Sequence, residues 1–96
     1  MDTATLSVRD NRGELRYELV REGEVLGFLL YRIEPESVVL VHTDVDPAYE
    51  GQGLGSVLVK VALDDLREHG MRAVPLCPFV RAYIRRHPEH TPVSST

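Results

Sequence analysis

The sequence predicts an α+β fold, a mixed but mostly antiparallel sheet in the order β-β-β-β-α-β-α with two helices packed on it. Three observations carry that reading. The first half of the chain alternates with period two between short turn signals, the hydrophobic period becomes helical at Leu54, and a short apolar run returns at residue 71 before Pro78.

Each element has its own signal. Residues 3–9 alternate with Leu6 and Val8 on one side, and Asn11-Arg12-Gly13 reads as a turn. Residues 14–20 alternate again, with Leu15, Tyr17 and Leu19 expected on one face. Glu22-Gly23-Glu24 turns the chain into residues 25–33, VLGFLLYRI, and Pro35-Glu36-Ser37 turns it into residues 38–45, VVLVHTDV. Four strands with such short links form an antiparallel meander. From Leu54, apolar residues recur at Val57, Leu58, Val61, Ala62 and Leu66, one helical stripe, with Gly70 at the stop. Residues 71–76 read as a fifth strand. Pro78 suits the first turn of a last helix, which runs through residues 79–86 to His87-Pro88. The crossover rule makes the fourth and fifth strands parallel.

Ninety-six residues, 43% hydrophobic and 27% charged, suit a single domain, expected over residues 7–92 with a flexible tail at 93–96. A net charge of −4 argues against a nucleic-acid partner and is compatible with a cationic substrate such as an amine. No apolar run approaches the roughly 18 residues of a membrane span, so no membrane association is expected. The opening MDTATLSVRDNRGELRYE lacks the apolar stretch of a secretory signal. The single cysteine, Cys77, cannot form an internal disulfide, which suits a reducing cytoplasm. No feature sets the oligomeric state; a sheet this small leaves an edge strand, so a monomer or a weak homodimer is expected.

The stretch DPAYEGQGLGSVLVK, residues 46–60, places Gly51, Gly53 and Gly55 where strand gives way to helix. A Walker-type loop fails, because no lysine precedes Ser56. A dinucleotide fingerprint is poor, because Ser56 stands in the third glycine slot and only 41 residues follow Gly55. Two readings remain. Either the glycines ease a turn, or bare amides over Gly51, Gln52, Gly53, Leu54, Gly55 and Ser56 hold an anion such as pyrophosphate at a helix N-terminus.

Cys77 falls just before Pro78, an N-cap position where the helix dipole lowers a thiol pKa, although a lone cysteine is also common core filler. His42 stands within a strand, either near-neutral base or sheet residue. Tyr83 is either core or a proton donor, and Arg85 and Arg86 either meet a phosphate or decorate a solvated face. His87 and His90 do not make a metal set, and no metal is expected.

GQGLGSVLV after an apolar strand resembles the R/Q-x-x-G-x-G/A motif of GNAT-superfamily N-acetyltransferases. HTDVDPAYEGQGLG, with PLCPFVRAYIRRHPEH downstream, resembles the short stand-alone branch often labelled YjdJ-like. The resemblance implies acetyl-coenzyme A as co-substrate, its pyrophosphate on residues 51–56, and its pantetheine arm along the backbone of Val41, Thr43 and Val45, with the Val45 amide as oxyanion donor. It implies a small-molecule or peptide amine as acceptor, with Cys77, His42 and Tyr83 near the thioester and Arg85 near the adenosine 3′-phosphate. Two roles stay open for Cys77, covalent acetyl acceptor or proton donor to the leaving thiolate. Glu50 occupies the first motif slot and is expected to point away from the anion. A non-catalytic acyl-coenzyme A binding or sensing module is the alternative, since the helices that larger relatives carry between their first two strands are missing here.

Overall fold

In the computed structural model, which describes residues 6–88, the elements run β1 (Leu6–Asn11), β2 (Arg16–Arg21), β3 (Glu24–Ile33), β4 (Ser37–Val45), a single 3₁₀ turn (Pro47–Tyr49), α1 (Leu54–Glu68), β5 (Arg72–Pro75) and α2 (Pro78–Arg86). The expected tail at 93–96, His90 and the first residues of the expected strand at 3–9 lie outside the described residues. The five strands form one sheet in the order β1-β2-β3-β4-β5, antiparallel except for the parallel β4–β5 pair.

Both helices pack on the same face. Leu58, Val59 and Ala62 of α1, with Val80 and Tyr83 of α2, form one buried cluster with Leu19, Leu29 and Leu40 of the sheet. The stripe read from Leu54 is therefore the buried stripe, and truncating a fully buried leucine such as Leu29 or Leu58 to alanine is expected to cost about 2–5 kcal/mol. Two tyrosines close the far end of this core. Tyr17 donates its hydroxyl to Asp65 (2.8 Å) and Tyr31 to Asp10 (2.5 Å). Burial first, then the bond to the carboxylate, raises the pKa of both hydroxyls, which stay protonated donors.

Among the described residues the opposite face carries no helix, and one period-two expectation is corrected. Leu15 does not join Tyr17 and Leu19: it is 42% exposed at φ 54°, because the turn runs through it and β2 begins only at Arg16. Glu18, on the helix-free face, is 1% exposed. Arg9 and Arg16 each approach its carboxylate at 2.7 Å, and Asn11 donates at 3.0 Å. Burial would raise the Glu18 pKa; the bonds from Arg16, Arg9 and Asn11 override it and hold the carboxyl down to about 2.

A bulge in β4 decides what faces the helices. Leu40 pairs with Tyr31 and His42 with Leu30, leaving Val41 as the extra residue. Side chains beyond it change face relative to unbroken alternation. Thr43 pairs with Leu29 on the core side, whereas His42 and Asp44 pair with Leu30 and Phe28 on the helix-free side.

Candidate functional site

β4 and β5 pair only from Ser37 with Arg72 to Leu40 with Pro75. The Leu40 carbonyl then accepts from the amides of both Leu76 (3.0 Å) and Cys77 (3.0 Å), and the strands part. Beyond that fork, backbone groups on the β5 side of β4 have no strand to meet. The Asp46 amide donates to the Leu26 carbonyl on the β3 side at 2.8 Å, so alternation turns the amides of Val45 and Thr43 toward the fork.

The fork opens into a trough of about 350 Å³ lined by Thr43, Asp44, Val45, Tyr49, Glu50, Gly51, Gly53, Leu54, Gly55, Ser56 and Phe79. Its floor is the first turn of α1. Gly53 caps that helix in the left-handed region (φ 74°) without a side-chain cap, and no acid stands in the first turn. The first intrahelical bond runs from the Val57 amide to the Gly53 carbonyl at 3.3 Å, so the amides of Leu54, Gly55 and Ser56 precede the helical ladder. Three such N–H groups with the positive end of the dipole favour an anion. The lining contains no lysine or arginine, so the backbone must supply that attraction.

The three glycines serve different needs. Gly51 (φ 86°) and Gly53 (φ 74°) hold backbone conformations that side chains strain to adopt, with open space where a Cβ would stand. Gly55 has an ordinary helical backbone, but a Cβ there would meet Cζ of Phe79 at 2.8 Å. A side chain at 55 would therefore need the Phe79 ring to shift. Glu50 follows the 3₁₀ turn with extended backbone (φ −65°, ψ 152°) and lies on the trough rim.

Cys77 is buried at the N-cap of α2, with its Sγ 3.4 Å from Thr43 Oγ1. Burial pushes the thiol pKa up. Hydrogen bonding from the Thr43 side chain and from the backbone of Val80, Phe79 and Thr43 outweighs it, and the thiol sits below its ordinary value. Thr43, which meets that sulfur, also lines the trough; Cys77 itself does not.

Of the residues named from the sequence, the trough brings together Thr43, Val45, Gly51, Gly53, Leu54, Gly55 and Ser56. Gln52 is exposed in the glycine turn and Val41 bulges from β4, 38% exposed; neither lines the trough. His42 projects from the helix-free face, across the sheet from Cys77, because of the bulge. Tyr83 is buried in the core with its ring stacked on His87 at 4.3 Å, and Arg85 is exposed in the last turn of α2, two turns beyond Cys77. Sequence reasoning missed Phe79, Tyr49 and the part played by Asp44. An aromatic in the second helical position carries no mark that separates a trough wall from core, and no sequence period announces a bulge.

Among the described residues, no group of three or more His, Cys, Asp or Glu side chains could hold a metal ion, and no helix is long and apolar enough to cross a membrane.

Residues 16–93 match the family model described as GCN5-related N-acetyl-transferase. The chain belongs to that family. Protein NATD1 of Homo sapiens is 36% identical over 61 residues, 62% of this chain and 54% of that protein. The [ribosomal protein bS18]-alanine N-acetyltransferase of Escherichia coli K12 is 32% identical over 63 residues, 64% of this chain and 43% of that protein. The chain thus spans about half the length of the curated relatives it matches. A solved GCN5-like protein of Staphylococcus aureus superposes with a TM-score of 0.68 at 22% identity, covering 97% of this chain and 89% of that one. The Escherichia coli ribosomal-protein-S18-alanine N-acetyltransferase gives 0.63 at 23%, covering 75% and 50%. The sheet with two helices is the GCN5-related fold, and the glycine turn opening α1 occupies the stretch that the family model spans.

Proposed function

We propose that the protein is an N-acetyltransferase that moves an acetyl group from acetyl-coenzyme A to a primary amine of a small molecule or peptide. The observation that carries this reading is the trough at the β4–β5 fork, with the uncapped first turn of α1 as its floor. Family membership and the Escherichia coli relative, named for acetylating the alanine of a ribosomal protein, support an amine acceptor. The Cys77…His87-Pro88 segment favours the YjdJ-like branch, and the single free cysteine favours a cytoplasmic setting.

In this reading the amides of Leu54, Gly55 and Ser56 hold the coenzyme pyrophosphate, and the free backbone edge of Thr43 and Val45 pairs with the pantetheine arm. The Val45 amide donates to the oxygen that gains charge as the amine attacks the thioester carbon. Two C–S bonds break in turn. The Cys77 sulfur attacks first and coenzyme A leaves as its thiol with the Cys77 proton. The amine then attacks acetyl-Cys77, the acetyl group goes to nitrogen, and the proton lost by the amine restores the Cys77 thiol. The lowered pKa of Cys77 favours a nucleophile over an acid, so Cys77 takes the acetyl group first and passes it to the amine. His42 and Tyr83 have no part in this route, since they lie on the opposite sheet face and in the core.

Coenzyme A release with acetyl-coenzyme A and a panel of primary amines tests the function. Amine-dependent release with a matching acetylated product is expected; tight coenzyme binding without any acetylated amine would contradict it. Intact mass after incubation with acetyl-coenzyme A is expected to show an acetyl adduct in the wild type and none in Cys77→Ala, whose turnover falls about 100-fold. Undiminished turnover in that variant removes Cys77 from the route.

A further inference from the structure

A second trough, also about 350 Å³, opens on the other side of β4, with Arg16, Val25, Gly27, Phe28, Asp44 and Asp46 in its lining. It shares Asp44 and Val45 with the coenzyme trough, so the two cavities meet at the end of β4, where the proposed oxyanion donor stands. A Cβ at Gly27 would lie 2.7 Å from the Asp44 carbonyl, so β3 and β4 come close there without a side chain between them.

The charges of this trough are not balanced. Arg16 is engaged by Glu18 at 2.7 Å and its guanidinium carbon sits 4.9 Å from the Phe28 ring centre. Asp46 uses one carboxylate oxygen on the Ala48 amide (2.9 Å) and keeps the other. Asp44 is exposed and, among the described residues, its side chain makes no hydrogen bond or ion pair. Asp44 thus makes the rim shared with the coenzyme trough anionic, with Asp46 in the second trough only and Val25 and Phe28, the latter partly covered by Arg16, beside it.

We propose that this second trough is the acceptor subsite and that it selects amines carrying a second cationic group, held by Asp44 with Asp46 beside it. The inference rests on the N-acetyltransferase reading. Its reason is the protonation state that the chemistry demands. The attacking nitrogen must shed its proton, and a monoamine that has done so offers no charge to Asp44. A second ammonium keeps its charge through the reaction, so its contact with Asp44 persists into the transition state and raises kcat/KM. Val25 and Phe28 receive the alkyl linker between the two nitrogens.

The test compares 1,4-diaminobutane with 1-aminobutane as acceptors for the full chain at saturating acetyl-coenzyme A, correcting the diamine for its two equivalent nitrogens and each amine for the fraction that carries a neutral nitrogen at the assay pH. The diamine is expected to have the higher kcat/KM by about fivefold, the size of an exposed ion pair, and raising the salt concentration should shrink the difference. Asp44→Asn should bring the diamine-to-monoamine ratio of kcat/KM down to about one, a ratio taken at saturating acetyl-coenzyme A so that any change in coenzyme binding cancels, and Asp44→Glu should restore part of it. Equal kcat/KM for the two amines, or an equal loss for both in Asp44→Asn, overturns the subsite while leaving the N-acetyltransferase reading intact. No transfer to any amine overturns both.

Discussion

Glu18 shows how a single residue can defeat a pattern and still obey physical chemistry. Alternation in β2 places it on the face without helices, where a carboxylate would ordinarily be solvated; instead three donors enclose it. Glu18→Gln keeps the shape and removes the charge, and is expected to lower stability by about 2 kcal/mol at neutral pH. Its folded pKa is depressed, so its contribution is present above the ordinary 4.5 and is lost as pH falls toward about 2. Urea unfolding of wild type and variant should therefore differ at pH 6 and converge near pH 2; a constant difference would contradict the assignment. Gly55 offers a second test. Alanine favours a helix over glycine, yet Gly55→Ala should destabilise by about 1–2 kcal/mol because its Cβ meets Phe79, and the same change in a Phe79→Ala background should become neutral or stabilising. An undiminished cost in that background would show that the ring is not the constraint. The cluster of glycines was legible as a site in the sequence, but their separate reasons were not, since φ and ring contacts leave no mark in composition.

At the scale of elements, the site is made by two terminations. α1 begins without a side-chain cap, and β4 outruns β5. Gly53→Ala should cost about 1–2 kcal/mol through its left-handed cap and weaken coenzyme binding along with stability. α2 contributes its own N-terminus to Cys77, and Thr43 of β4 completes that cradle. Thr43→Val keeps the shape but deletes the hydroxyl, so the pH at which iodoacetamide alkylates Cys77 half-maximally should move upward; an unmoved profile would exclude Thr43 from the thiol's environment. The strand order, the helix stripe and the N-cap position of Cys77 were legible because each follows from local period or from Pro78. The β4 bulge was not legible, because VVLVHTDV alternates equally well with or without an extra residue. That one residue carries His42 away from Cys77 and brings Asp44 to the rim shared by both troughs.

For the molecule as a whole, both helices among the described residues pack on one side of the sheet, and the two troughs meet at the end of the strand that divides them. The fold class and the parallel β4–β5 pair follow from element order alone, whereas the second trough depends on cross-strand register that no linear reading contains. The central claim is that backbone amides at the start of α1, without help from a side-chain cation, bind the coenzyme's pyrophosphate. Amide NMR shifts on titration with coenzyme A test this most directly. The largest changes should fall on Leu54, Gly55 and Ser56, with smaller ones on Thr43 and Val45. Saturable binding that leaves the first turn of α1 unmoved while shifting other residues would contradict it.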